Sequence, residues 1–225
     1  MISERIDANL GAAHTEVEQK TAAHLNPKMV EALGLMGFKR QFVRGEGCTL
    51  FDADGNAYTD MLAGYGSVPL GHHAPEVWQA IDAVRGAKTP SFVLMAPEAL
   101  PAALARELAH RLPPPLEVSF FGSSGSEAVD GALKLARAVT HRDAFVYAER
   151  GYHGSTFGAL SVTSDGRKKK FGTLLEASEV PFGDLGALEV RLRRRDVAAV
   201  VLEPMQAEGG VRLPPPNYLA QAKRL

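Results

Sequence analysis

Apolar residues are distributed in two ways along this chain. In its second half they form short unbroken runs, EVSFF at 117–121, AFVYAE at 144–149 and VAAVVLEP at 197–204. Runs of that length without polar alternation predict strands buried on both faces, as in a parallel sheet. Helical stretches separate them. LPAALARELAHRL at 100–112 is stopped by Pro113-Pro114-Pro115, EAVDGALKLARAV spans 127–139, and the basic stretch LEVRLRRR covers 188–195. Strands alternating with helices predict an α/β architecture, with ligands at the carboxyl ends of the strands.

The first half reads differently. Residues 1–40 are polar and partly helical, with Val30, Leu33 and Phe38 loosely spaced and Gly34 and Gly37 interrupting, so an arm or edge element is expected. FVRGEGCTLFDADGNAYTDML at 42–62 alternates β-prone runs with turn signals. Asp54-Gly55-Asn56 between two of them predicts a hairpin in a small antiparallel unit. GYGSVPLGHHAP at 64–75 predicts an ordered loop into a helix at 75–84, with Pro75 in its first turn. No internal repeat is visible.

Composition narrows the function classes. Of 225 residues, 25 are basic and 26 acidic, which gives no electrostatic case for nucleic acid. A hydrophobic fraction of 45% and a charged fraction of 23% belong to an ordinary globular chain. The single Cys48 cannot pair within the chain and fits a reducing compartment. No run reaches the roughly 18 apolar residues a membrane helix needs. Glu4, Arg5 and Asp7 stand where a secretory signal would be apolar, so a cytoplasmic protein is expected.

Three stretches could carry chemistry. In EVSFFGSSGSEAVD, Gly122 and Gly125 free the backbone to turn, while Ser123, Ser124 and Ser126 supply hydroxyls and a helix cap. Free N–H groups and the helix dipole favour a phosphate there. The turn is neither the dinucleotide G-x-G-x-x-G nor the G-x-x-x-x-G-K-[ST] loop, so the phosphate would belong to another kind of molecule, the alternative being a plain capped helix. In ERGYHGSTFGAL, glycines at 151, 154 and 158 expose Tyr152 and His153, which could stack on and hydrogen-bond a planar ligand, although such a pair is often structural. In LEPMQAEGG, Glu203 ends an apolar strand and should meet a cation, a donor or a ligand. Glu208 in the next loop reads alone as a solvated charge. His72-His73 is too small a cluster for a metal, and the basic runs 167–170 and 191–195 read as solvated faces.

Taken in order, these stretches resemble the amino-terminal part of a class III aminotransferase, a pyridoxal 5'-phosphate (PLP) enzyme of fold type I of the ornithine, acetylornithine and omega-amine kind. The resemblance rests on FVRGEGCTLFDADGNAYTDML, LGHHAPEV, SSGSEAVDGALKLAR, GYHGSTFGALSVT and LEPMQAEGGVRLPPPNYL, from about residue 40 to 219. It implies that Ser124, Gly125 and Ser126 hold the PLP phosphate, that Tyr152 stacks on the pyridine ring with His153 beside it, and that Glu203 lies near the ring's substituents. Glu208 matches the position that faces a switch arginine, where one pocket admits an amine or a carboxylate. Ser123 stands where many members have Asn.

The same resemblance implies residues 1–70 as arm and hairpin of the small domain and 71–225 as the first part of the PLP-binding large domain. Its substrates would be an amine, diamine or omega-amino acid donor and a 2-oxo acid acceptor. The complete enzyme would be a homodimer, with TPSFVLMAPEA at 89–99 reaching the neighbouring subunit. In the family, a strand-ending Asp and the Schiff-base Lys follow the PxxYL segment, and no lysine here matches that Lys. The expectation is therefore a fragment, inactive alone, with an apolar sheet face left uncovered. Two alternatives stand beside it: a non-catalytic remnant or partner subunit, and an α/β serine hydrolase. The glycine spacing at 122–125 departs from G-x-S-x-G, and at 154–158 Thr156 stands in the serine's place.

Overall fold

The computed structural model describes residues 2–38, 40–90, 93 and 95–225, with the side chain of Lys169 outside the description. Ser91, Phe92 and Leu94 of the 89–99 loop expected at a subunit interface lie outside the described residues. The chain forms two compact units, Met1–Ala96 and Pro97–Leu225.

The first unit opens with helices α1 (Ile2–Leu10), α2 (His14–His24) and α3 (Pro27–Leu35). α3 starts where Asn26 caps the Met29 N–H at 3.1 Å and Pro27 fills the first helical position. Strands β1 (Phe42–Glu46), β2 (Thr49–Asp52) and β3 (Ala57–Thr59) make an antiparallel meander, with Leu50 opposite both Gly45 and Tyr58. The β2–β3 turn is built on Asp52. Its carboxylate accepts from the Asp54 and Asn56 N–H groups, the Asn56 amide and the Tyr58 hydroxyl at 2.8–3.0 Å. Those donors, the Asn56 side chain first, hold the Asp52 carboxyl below its ordinary range. A single turn, α4 (Ala63–Gly66), has left-handed backbone at Gly64 and Tyr65, and α5 (Pro75–Ala87) follows. His72 meets Asp60 at 2.8 Å and His73 stacks on Trp78, which gives both histidines local partners; no metal-ligand cluster exists among the described residues.

The second unit holds the buried apolar residues. It begins with α6 (Ala99–Ala109) and α7 (Gly125–Thr140), then strand β4 (Ala144–Ala148), short helices α8 (Phe157–Ser161) and α9 (Lys168–Phe171), strand β5 (Ala177–Val180), α10 (Leu185–Leu192), strand β6 (Val197–Val201) and α11 (Tyr218–Ala222). The strands form a parallel sheet in the order β5-β4-β6. Central β4 is buried along its whole length because its alternate residues serve two cores. Phe145 and Tyr147 pack with Leu133 and Val162, and Val146 packs with Val180, Leu188 and Val197. Full burial of each such side chain contributes about 1.5–3 kcal/mol.

Four expectations need correction. Residues 117–121 form no strand: the run has no neighbouring strand to bond, and Val118 is fully exposed while Phe120 rests against Gly131. β5 was not expected, because Ser178 and Glu179 make an edge strand that does not read as apolar. The basic runs are not uniformly solvated. Lys168 is half-buried, donating to the Tyr147 hydroxyl at 2.8 Å and the Ser161 carbonyl at 3.0 Å, and Arg191 is held by Ser178 and Asp196. Finally, the uncovered apolar face expected of the sheet is not at β4, which is buried throughout, whereas β6 is only half-buried from Ala198 to Val201, and exposed apolar side chains occur on α5, α6, residues 116–121 and other segments as well. No described helix is long and apolar enough to cross a membrane.

Candidate functional site

The start of α7 is the first component. Ser124 takes an extended backbone, and its hydroxyl accepts the Glu127 N–H at 3.2 Å; the Glu127 carboxylate in turn accepts the Ser123 N–H at 2.6 Å. This is a capping box displaced by one residue. It leaves the N–H groups of Ser124, Gly125 and Ser126 without partners among the described residues. The Ser124 and Ser126 oxygens act as acceptors, Ser126 from the Ser155 N–H at 3.2 Å, so both hydroxyl protons stay free to donate. A Cβ at Gly125 would meet nothing within 4 Å, so the turn opens onto free space. Three successive amides, two hydroxyl protons and the positive end of a 16-residue helix make an anion seat.

The loop after β4 is the second component, and two glycines let it dock. Gly154 has φ +135°, and a Cβ there would lie 2.4 Å from the Ser126 hydroxyl oxygen and 2.8 Å from the Ala159 Cβ. At Gly158 a Cβ would lie 2.5 Å from Asp130 Oδ1, the oxygen that accepts the Ala159 N–H at 2.8 Å. Loop and helix α7 are therefore joined at Ser126 and again one turn later. Between these points the Tyr152 ring is 41% exposed, its N–H donating to Glu203 Oε2 at 3.1 Å and its hydroxyl 3.3 Å from Ser155 Oγ. Glu203 thus meets a donor, and that donor is the backbone of the neighbouring loop.

His153 is set deeper. Its N–H donates to Thr163 Oγ1 at 3.0 Å, and its Nε2 is buried without a partner. Burial, and then the nearby Lys168 charge, push its pKa below the ordinary imidazole value, so the ring is neutral around pH 7. Lys168 sits 4.0 Å over the Tyr147 ring. Burial and the Glu179 charge push the Tyr147 hydroxyl up to about 12, which keeps it protonated and donating to Glu179 at 3.1 Å.

Glu208 is the third component. It lines an open cavity of about 450 Å³ with Arg150, Tyr152, Asp165 and Arg167. Its loop is clamped by Gln206, whose fully buried side chain donates to the Glu149 carbonyl at 2.7 Å, and by Arg212, which reaches Gln206 Oε1 at 3.3 Å and Glu149 Oε1 at 3.2 Å. The structure brings Ser126 together with the Tyr152 loop, Tyr152 with Glu203, and Tyr152 with Glu208. It also adds Asp130, Thr163, Lys168 and Gln206, polar residues that no motif singled out. The only signal of Asp130 and Gln206 was their position inside segments otherwise rich in chemistry. Neither Ser124 nor Thr156 has a hydrogen bond to an imidazole among the described residues, which removes the support for a serine hydrolase.

Known proteins share this arrangement of elements. The chain is 42% identical over 205 residues to Aminotransferase PigE of Serratia sp. (strain ATCC 39006), a match covering 89% of the chain and 24% of that protein. Among solved structures it superposes on a β-phenylalanine aminotransferase from Variovorax paradoxus with TM-score 0.76 and 28% identity, covering 98% of this chain and 50% of that one. It superposes on taurine:2-oxoglutarate aminotransferase from Bifidobacterium kashiwanohense, solved with PLP and glutamate, with TM-score 0.71, 26% identity and coverage of 82% and 47%. The chain thus spans about a quarter of the curated relative and half of the solved ones. Class III aminotransferases are PLP-dependent, and the model of that family, aminotransferase class-III, matches residues 36–225. A seat for an anion at α7, an open aromatic ring beside it and a family match running through both lead to one conclusion: this chain belongs to the class III aminotransferases.

Proposed function

We propose that the chain forms the coenzyme-binding part of a PLP-dependent aminotransferase that moves an amino group from an amine, diamine or omega-amino acid to a 2-oxo acid. The observation that carries this reading is the row of partnerless amides at Ser124, Gly125 and Ser126 beside the exposed Tyr152 ring. Phosphate oxygens accept only, and this turn offers donors only, so the residues present fit the group. In this reading residues 1–70 belong to the small domain and 71–225 to the start of the large one. Bound PLP supplies an electron-withdrawing ring that acidifies the C–H beside the substrate nitrogen.

The chain's own residues then have separable tasks. Ser124, Gly125 and Ser126 fix the phosphate, and Tyr152 offers its face to the pyridine ring. Glu203 orients Tyr152 through its N–H, and His153 presents a neutral Nε2 beside the ring. Glu208 faces the substrate from the cavity. A homodimer belongs to the same reading, supported by exposed Trp78, Ile81 and Val84 on α5, and so does a cytoplasmic setting, supported by the lone, exposed Cys48. A second reading is a subunit that binds PLP without catalysing transfer.

Titration with PLP, followed by absorbance and by retention through dialysis, tests the proposal. Ser126→Asp should weaken retention at least about tenfold, because it places a negative charge against the phosphate. Equal retention by this variant would refute the seat. Covalent fixation of the coenzyme to a lysine by borohydride would refute the second reading.

A further inference from the structure

Three successive ties hold the loop that presents Tyr152 and His153, and two of them go to one short segment. The Gly151 carbonyl accepts the Ser164 N–H at 2.8 Å, the Tyr152 N–H goes to Glu203, and the His153 N–H goes to Thr163 Oγ1. Residues 161–164 are therefore the platform on which the loop rests. Ser161 and Thr163 are buried, and Ser164 lines the cavity beside Tyr152. What grips the platform is Lys168, a residue outside every stretch that carries the family resemblance. Its ammonium donates to the Ser161 carbonyl at 3.0 Å, which fixes one end. The other end is reached by relay: the ammonium donates to the Tyr147 hydroxyl at 2.8 Å, that hydroxyl donates to Glu179 Oε2 at 3.1 Å, and Glu179 Oε1 accepts the Ser164 hydroxyl proton at 3.2 Å. Tyr147 belongs to the buried strand β4, and the ammonium lies 4.0 Å over its ring, so the grip is anchored in the sheet. Bonds from an ammonium and to a carboxylate are the strong members of their class, and here both kinds occur in one chain of contacts.

We propose that Lys168 is a positioning residue for the candidate site: by clamping both ends of residues 161–164 it fixes the loop that presents Tyr152 and His153. Lys168 touches no ligand in this account and acts through the platform. The proposal rests on the coenzyme reading for the identity of the ligand, whereas the clamp itself can be tested in the free chain.

Amide hydrogen exchange on the full chain without PLP is the first arm. In Lys168→Met, exchange at Tyr152, His153 and Ser164 should quicken about tenfold. Tyr147→Phe keeps the lysine charge and the aromatic ring but removes the relay hydroxyl; it should quicken the same three amides, and the double variant should go little further than Lys168→Met alone. Arg191→Met breaks a comparable tie elsewhere on the sheet, to Ser178 and Asp196, and should leave those amides at wild-type rates even where the denaturation midpoint falls. Far-UV circular dichroism verifies that all variants are folded. In the second arm, PLP affinity should fall about threefold to tenfold in both Lys168→Met and Tyr147→Phe and stay unchanged in Arg191→Met. Wild-type exchange in both clamp variants, or equal acceleration by Arg191→Met, would overturn the proposal. So would an affinity that falls with Lys168→Met alone, since the lysine would then act as a plain charge. The expected exchange pattern in a chain whose wild type takes up no PLP would uphold the clamp and sink the coenzyme reading.

Discussion

Replacing Gly154 with alanine tests whether the Tyr152 loop and the start of α7 form one unit. At φ +135° a side chain costs about 1–3 kcal/mol in backbone strain. The added methyl would sit 2.4 Å from Ser126 Oγ and 2.8 Å from the Ala159 Cβ, neither of which is a mobile chain end, so overpacking adds about 1–3 kcal/mol. The combined loss, about 2–6 kcal/mol, is a large part of the roughly 5–15 kcal/mol that stabilises a typical domain. In guanidinium titrations followed by circular dichroism, the midpoint of Gly154→Ala should fall while the slope stays constant. Adding Ser126→Gly should restore part of the loss, because the contact with Ala159 remains. Gly125→Ala is the control: its Cβ points into open space, so stability should change by no more than about 0.5 kcal/mol. A wild-type midpoint for Gly154→Ala would refute the packing argument.

Three further outcomes are expected. His153 has a lowered pKa in the folded chain, so the unfolded chain binds more protons and its contribution to stability is present above about pH 6.5 and falls as the pH drops below that value; denaturation midpoints measured across this range should decline toward acid, and the decline should vanish in His153→Gln. Lys168→Met should raise the His153 pKa in an NMR titration only part of the way, since burial, the larger cause, remains; an unchanged pKa would disprove the coupling. Asp52→Ala strips the acceptor from four donors and should speed hydrogen exchange at Asp54 and Asn56 while leaving exchange in β4 unaltered.

The hairpin at Asp54-Gly55-Asn56, helices α5 and α7 and strands β4 and β6 were legible because each is fixed by neighbours a few residues away: a turn dipeptide, a proline, a serine cap, an apolar run. Residues 117–121 misled for the opposite reason, since a strand exists only through its partner and apolar content does not supply one. Lys168 looks like one more solvated lysine until Tyr147, 21 residues earlier, is folded beneath it. Gln206 reads as an ordinary loop residue, yet its amide spans 57 positions to reach the Glu149 carbonyl. The glycines of GYHGSTFGAL advertised a freed backbone, but the reasons for two of them, Ser126 and Asp130, lie on a helix that ends before the loop begins.

The two clasps between that loop and α7 have a practical consequence. The amide protons of Ser155 and Ala159, donated to Ser126 and Asp130, are gauges of what sits at the tip of the helix. A ligand that immobilises Ser126 must slow solvent exchange at Ser155, and through the shared loop at Ala159, without touching either amide. Occupancy could then be followed residue by residue with a colourless anion, where optical methods would see nothing.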